Sequence, residues 1–165
     1  PGTNHPKAAY FTRGSGHNDK AQYSERADDY VNNVDRLSRK FDTARSVVPG
    51  PVKVADGTSN IGIIAYGTSH WAIVESRDQL MQEFSLKTDY IRLRAYPFSH
   101  DVHDFVKRHE RVYVVEQNRD GQMFGLLKLD LAADQVVKLR SVRHYDGLPI
   151  DARSVTDEMI SQEGR

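Results

Sequence analysis

The sequence predicts an α/β protein, a three-layer α/β/α sandwich around a mostly parallel sheet, entered through an extended arm and a linker helix. Three observations predict it. Short β-branched and aromatic runs, IGIIAY at 61–66 and VYVV at 112–115, read as strands buried on both faces. A polar turn follows each run, and then apolar residues at helical spacing, the alternation that builds βαβ units. At 165 residues the chain is long enough for one ordinary core and too short for two sizeable ones.

Residues 1–20 are rich in Gly, His, Asn, Lys and Thr with little apolar periodicity, so they form an arm that leans on a neighbour. Beyond Ser24 the pattern changes. Tyr30, Val34, Leu37, Phe41 and Ala44 recur at spacings of four and three, one apolar stripe on a helix that is expected to bury against the α/β core. Ser24 or Asp28 is available to cap its start, and Pro49, Gly50 and Pro51 stop it. The expected division is therefore 1–51, arm and amphipathic linker helix, and 52–165, the α/β domain.

Within that domain a strand is expected at 52–55, a turn at Asp56 and Gly57, and a strand at 61–66. Ser69 offers a cap oxygen to a helix carrying Trp71, Val74, Leu80, Met81 and Phe84. Ile91, Leu93 and Ala95 alternate with Arg92 and Arg94, a strand with one polar face that Pro97 ends. Val102, Phe105 and Val106 mark a short helix, before the strand at 112–116 and a helix at 121–131. Val136, Val137 and Leu139 read as another strand, and Gly147, Leu148 and Pro149 precede a closing helix at 151–162.

Basic and acidic side chains balance at 23 each, so no global field draws in nucleic acid or an anionic membrane. There is no cysteine, hence no disulfide and no thiolate for an iron–sulfur cluster. No apolar stretch is long enough to span a bilayer and no secretory signal opens the chain, so a cytoplasmic protein is expected. Beginning at Pro1 without a methionine, the chain also reads as a piece of a longer one.

Chemistry-bearing residues collect in four places. His100 and His103, beside Asp101 and Asp104, have helical spacing for two metal ligands, but no distant ligand completes a set, and a solvated helix start fits better. Thr12, Arg13, Gly14, Ser15, Gly16 and His17 read either as a backbone nest for an anion, with Arg13 and His17 as ligand candidates, or as a hinge. Ser69 and His70 stand in the small-residue turn after a strand, where α/β sheets meet ligands, though no dinucleotide fingerprint is present. Gln117, Asn118, Arg119 and Asp120 follow the next buried strand. Asn118 and Arg119 are candidates there; the Arg119 fork suits a carboxylate or phosphate, or else pairs with Asp120 or Glu116 and fixes the turn. No GxSxG elbow occurs, and no residue is assigned as catalytic or as a metal ligand.

Three blocks occur in one order: GTNHPKAAYFTRGSGHNDKAQYSER at 2–26, IGIIAYGTSHWAIVESRDQL at 61–80 and RVYVVEQNRDGQM at 111–123. Together they resemble the carboxyl-terminal part of the α subunit of 2-oxoacid:ferredoxin oxidoreductases, most closely the 2-oxoglutarate type. The resemblance implies a transketolase C-terminal-like domain of about five strands with one antiparallel edge. It implies a parent complex that uses thiamine diphosphate, Mg, an iron–sulfur cluster and coenzyme A to decarboxylate a 2-oxoacid oxidatively and reduce ferredoxin. The family's Gly-Asp-Gly diphosphate element is absent, since Asp56-Gly57, Asp120-Gly121 and Asp146-Gly147 lack the leading glycine. The expectation is that this segment binds no cofactor alone, is inactive alone, and supplies scaffold, contacts to the remainder of the α subunit and to the β subunit, and part of a ligand channel. The readings from another class are a purely structural docking module and an independent small-molecule-binding domain.

Overall fold

The computed structural model describes residues 3–6, 16–54 and 57–164. The chain divides into two compact units, Pro1–Ala44 and Arg45–Arg165. Most of the first unit's described part is helix α1, Ala27–Val47, which runs on into the second. Its predicted stripe has the helical period, but the expected burial is not met: Tyr30, Leu37 and Phe41 are 69%, 51% and 48% exposed, and α1 has no buried residue. Periodicity states which side chains share a face and is silent on what covers that face. At the start of α1, Ser24 Oγ accepts from the Arg26 N–H at 3.2 Å and donates to Asp29 at 2.6 Å, whereas Asp28 lies in the first turn and pairs with Arg26.

The second unit is the α/β sandwich. Its strands are β1 (Val52–Val54), β2 (Ile61–Tyr66), β3 (Asp89–Leu93), β4 (Arg111–Glu116) and β5 (Leu139–Arg143). They form one sheet in the order β1-β3-β2-β4-β5. All neighbours are parallel except β1, which pairs antiparallel with β3 through Val52↔Arg92 and Val54↔Tyr90. The five strands and single antiparallel edge match the expectation.

Helices α2 (His70–Phe84), α3 (His100–Arg108), α4 (Gln122–Asp130), α5 (Ala133–Val136) and α6 (Ala152–Gln162) cover the sheet. Alternate residues of the buried strands face opposite layers. Ile63, Ala65 and Tyr113 join Ile73 and Leu80 of α2 and Val155 and Met159 of α6 on one side. Ile64, Val112 and Val114 join Phe105 and Val106 of α3 and Leu127 of α4 on the other.

Two local expectations fail for backbone reasons. Val136 and Val137 do not begin β5: Gln135 and Val136 donate to the Ala132 carbonyl, closing a helical turn, and the strand starts at Leu139. Ser69 does not cap α2 with its side chain, because a 3₁₀ turn over Gly67–Ser69 runs straight into the helix and leaves Ser69 already helical. The closing helix is capped by Asp151, which accepts from the Ser154 N–H at 2.9 Å.

Arg45 in the last turn of α1 is fastened within the sandwich unit. Its guanidinium donates to both oxygens of Asp130 at the end of α4 and to the Phe98 carbonyl, and His103 Nε2 lies 3.0 Å from Asp130 Oδ2. Burial alone pushes the Asp130 carboxyl up, but the hydrogen bonds and charge of Arg45, helped by His103, hold it below the usual carboxylate range. A depressed folded-state pKa means stability that is fully present above the unfolded value and lost as pH falls through the folded one. Asp130→Asn is accordingly expected to cost about 1–3 kcal/mol near pH 7 in urea unfolding. Its difference from the unsubstituted protein should shrink as pH falls below the ordinary carboxylate range and through the depressed folded-state value.

Candidate functional site

Parallel strands whose connections leave in opposite directions open a crevice at their carboxyl ends, the place where such sheets bind ligands. Here that point lies between β2 and β4. The chain leaves β2 through α2 towards β3 on one side, and leaves β4 through α4 towards β5 on the other. The turn over Gly67–Ser69 with His70 and the turn at 117–121 face each other across it, so four of the sequence candidates, Ser69, His70, Asn118 and Arg119, belong to one end of the sheet.

A glutamine and a glutamate organise this end. Gln117 Nε2 donates to Thr68 Oγ1 at 3.2 Å and Ser69 Oγ at 3.1 Å, while its Oε1 accepts from the Ile150 N–H at 3.3 Å. One carboxamide therefore ties three turns together. Glu116, the last residue of β4, is fully buried, and its carboxylate accepts from the N–H groups of Met123 and Phe124 in the first turn of α4 and from Asn118 Nδ2. Asn118 Oδ1 accepts from the Gln122 N–H at 3.1 Å. Gly121, at φ +65°, supplies the left-handed entry to α4 that an L side chain resists. The positive end of α4 is thus already matched by the chain's own carboxylate and amide, leaving these first-turn donors no room for an external anion.

Arg119 lies outside the crevice. It is exposed, donates to Asp120 at 2.7 and 3.3 Å, and its carbonyl accepts from Arg143 Nη1 at 2.8 Å. An exposed neighbour pair of this kind contributes little stability. Arg119→Lys is expected to leave the melting temperature within about 1–2 °C by calorimetry, since surface changes stay within about 0.5 kcal/mol. Any effect of that substitution on assembly or turnover then reports contact with a partner or ligand, because the turn itself is held by Gln117 and Glu116.

His70 is half-buried, its ring stacked on Tyr90 at 5.9 Å between centroids and its Nδ1 3.3 Å from the Tyr90 hydroxyl. In the first unit His17 Nδ1 lies 2.8 Å from the Asn18 carbonyl, His17 pairs with Tyr23 in an isolated bridge, and its own carbonyl accepts from Asn33. Arg13 and the rest of the proposed nest at 12–15 lie outside the described residues, as do Ala55 and Asp56 of the expected first strand and turn. His100 and His103 are 6.2 Å apart between ring centroids, and no group of three metal-ligating side chains occurs among the described residues. A groove of about 720 Å³ runs along α1 between Gly16, His17, Tyr30, Val34 and Leu37. Its walls are chiefly apolar, with Glu25 and Arg26 at one end, which suits a contact surface.

No protein-family model matches this sequence, and no curated protein matches it. Among solved structures, the 2-oxoglutarate:ferredoxin oxidoreductase from Magnetococcus marinus with 2-oxoglutarate, coenzyme A and succinyl-CoA bound aligns with 98% of this chain at a TM-score of 0.78 and 19% identity. The chain has the fold of a segment of that oxidoreductase. It spans 28% of the neighbour's length. The alpha chain of a probable 2-oxoacid ferredoxin oxidoreductase from Thermoplasma acidophilum also aligns, at a TM-score of 0.46 and 17% identity over 70% of this chain and 98% of that one. Among the described residues no helix is long and apolar enough to cross a membrane.

Proposed function

We propose that this chain is the carboxyl-terminal segment of the α subunit of a 2-oxoacid:ferredoxin oxidoreductase, of the 2-oxoglutarate type. The observation that carries the reading is the shared fold over 98% of the chain, which joins three sequence blocks standing in that family's order. In this reading the parent complex works in the cytoplasm, oxidises a 2-oxoacid to its acyl-CoA and passes electrons to ferredoxin.

The segment's own part is structural. Its residues do not fit the complex's two redox-active groups: there is no cysteine to ligate a cluster, and Asp120 beside Gly121 is exposed and paired with Arg119 rather than free for a metal diphosphate. When bound elsewhere in the complex, thiamine diphosphate supplies the electron sink for decarboxylation. What this chain supplies is position. Gln117 and Glu116 lock the turns at the carboxyl end of the sheet, and the exposed stripe of Tyr30, Val34 and Leu37 offers apolar area for the remainder of the α subunit or for the β subunit.

The test is ferredoxin reduction by the purified complex that contains this chain, fed separately with 2-oxoglutarate and pyruvate in the presence of coenzyme A. Reduction that depends on coenzyme A and is faster with 2-oxoglutarate is expected. Faster reduction with pyruvate would keep the family and overturn the substrate, and no reduction with any 2-oxoacid would overturn both.

A further inference from the structure

Arg92 sits in an unusual setting. It lies near the carboxyl end of β3, half-buried, opposite Ala65 of β2 and Val52 of β1. Neither register neighbour can answer its charge. Among the described residues the Arg92 side chain makes no hydrogen bond and no ion pair, although partly buried guanidinium groups are ordinarily matched by a carboxylate or by carbonyls. Tyr90, two residues earlier, points to the same face of the sheet, and its hydroxyl is close enough for the Arg92 charge to oppose the upward shift that burial imposes.

The His70 imidazole lies beside the Tyr90 hydroxyl. Burial keeps the Tyr90 phenol protonated, pushing it up to about 12, and His70 Nδ1 at 3.3 Å is the acceptor within its reach. In the tautomer that accepts from the Tyr90 hydroxyl at Nδ1, the ring's own proton is on Nε2. Arg92, on the same sheet face as Tyr90, and His70, stacked on it, are therefore two half-buried nitrogen-bearing groups beside one phenol. Trp71 lies against His70 at 4.8 Å between ring centroids and is 75% exposed.

We propose that Arg92 and His70 form a receptor for a small oxyanion, a carboxylate or phosphate group, with Tyr90 positioning the imidazole. This site shares His70 with the β2/β4 end of the sheet but lies on the β3 side of it, and it does not depend on the family reading. A planar guanidinium fork beside an imidazole N–H suits two oxygens of one anionic group.

Trp71 is the sole tryptophan of the 165 residues, so its fluorescence reads the site directly. The full chain is titrated with inorganic phosphate and, separately, with malonate, each at constant ionic strength against sodium chloride. A saturable change with at least one of them is expected, and the anion that produces it names the chemistry. In Arg92→Gln that binding should weaken on the order of tenfold while the melting temperature holds or rises, because a cation without a counter-charge has been removed from a half-buried place. Saturation by neither anion would overturn the proposal. So would equal affinity in Arg92→Gln, or a marked fall in its melting temperature with binding retained, which would make Arg92 a packing residue. Should Arg92→Gln not fold, the His70 ring and Trp71 indole NMR signals of the unsubstituted chain decide: shifts on adding phosphate or malonate support the site, and their constancy with both anions refutes it.

Discussion

Glu116→Ala is expected to lower the stability of the α/β unit by about 2–4 kcal/mol, read as a fall in the urea midpoint without a change in slope. The substitution strips the acceptor from the Met123 and Phe124 N–H groups, 2.8 and 3.1 Å away, and from Asn118 Nδ2 at 2.6 Å. These groups surround a residue with no solvent exposure, so water does not readily replace the lost bonds. Glu116→Gln should fall between the two, since an amide keeps one acceptor oxygen and presents a donor to the other N–H. A neutral result for Glu116→Ala would mean that the start of α4 finds another cap, and that the turn at 117–121 is not fixed in the way described.

Phe105→Ala is expected to cost about 3–5 kcal/mol. The ring is 2% exposed, packs on the His109 imidazole at 4.2 Å between centroids, and lies against Gly62 so closely that a Cβ added there would fall 2.6 Å from Phe105 Cε1. Helix α3 and strand β2 thus meet ring against backbone. His109 is buried behind the ring, with Nδ1 2.6 Å from the Phe105 carbonyl and Nε2 3.2 Å from Asp89 Oδ2, which leaves little freedom for collapse into the cavity. Leu37→Ala, in a residue 51% exposed on α1, should cost under about 1 kcal/mol. Equal losses would mean that the α1 stripe is packed as firmly as the sandwich core.

The strands that carry the core were legible because burial on both faces leaves an unbroken apolar run: IGIIAY and VYVV could hardly be anything else once turns bounded them. Val136 and Val137 show the limit of that rule, since a β-branched pair accepts one helical turn when the Ala132 carbonyl is there to close it. The stripe on α1 was correctly spaced and wrongly buried, because a single sequence holds the period of a face but not its partner. At the candidate site the two turns were legible as polar segments after buried strands. Their organisers were not: Gln117 reaches Thr68 and Ser69 nearly fifty residues away, and only the strand order, with β4 beside β2, brings those turns together. The signal available for Glu116 was an acidic residue closing an apolar run, five positions before a glycine that opens a helix. Arg92 was visible only as the polar half of an alternating strand. That none of its described neighbours answers its charge is something the sequence does not announce.

The central claim, that this segment serves as a docked scaffold inside a larger oxidoreductase, is tested most directly by amide hydrogen exchange on the chain alone and within the complex that contains it. The account predicts slower exchange in the complex at the turns of residues 67–70 and 117–120 and along the exposed face of α1. Unchanged exchange at all three places would contradict it.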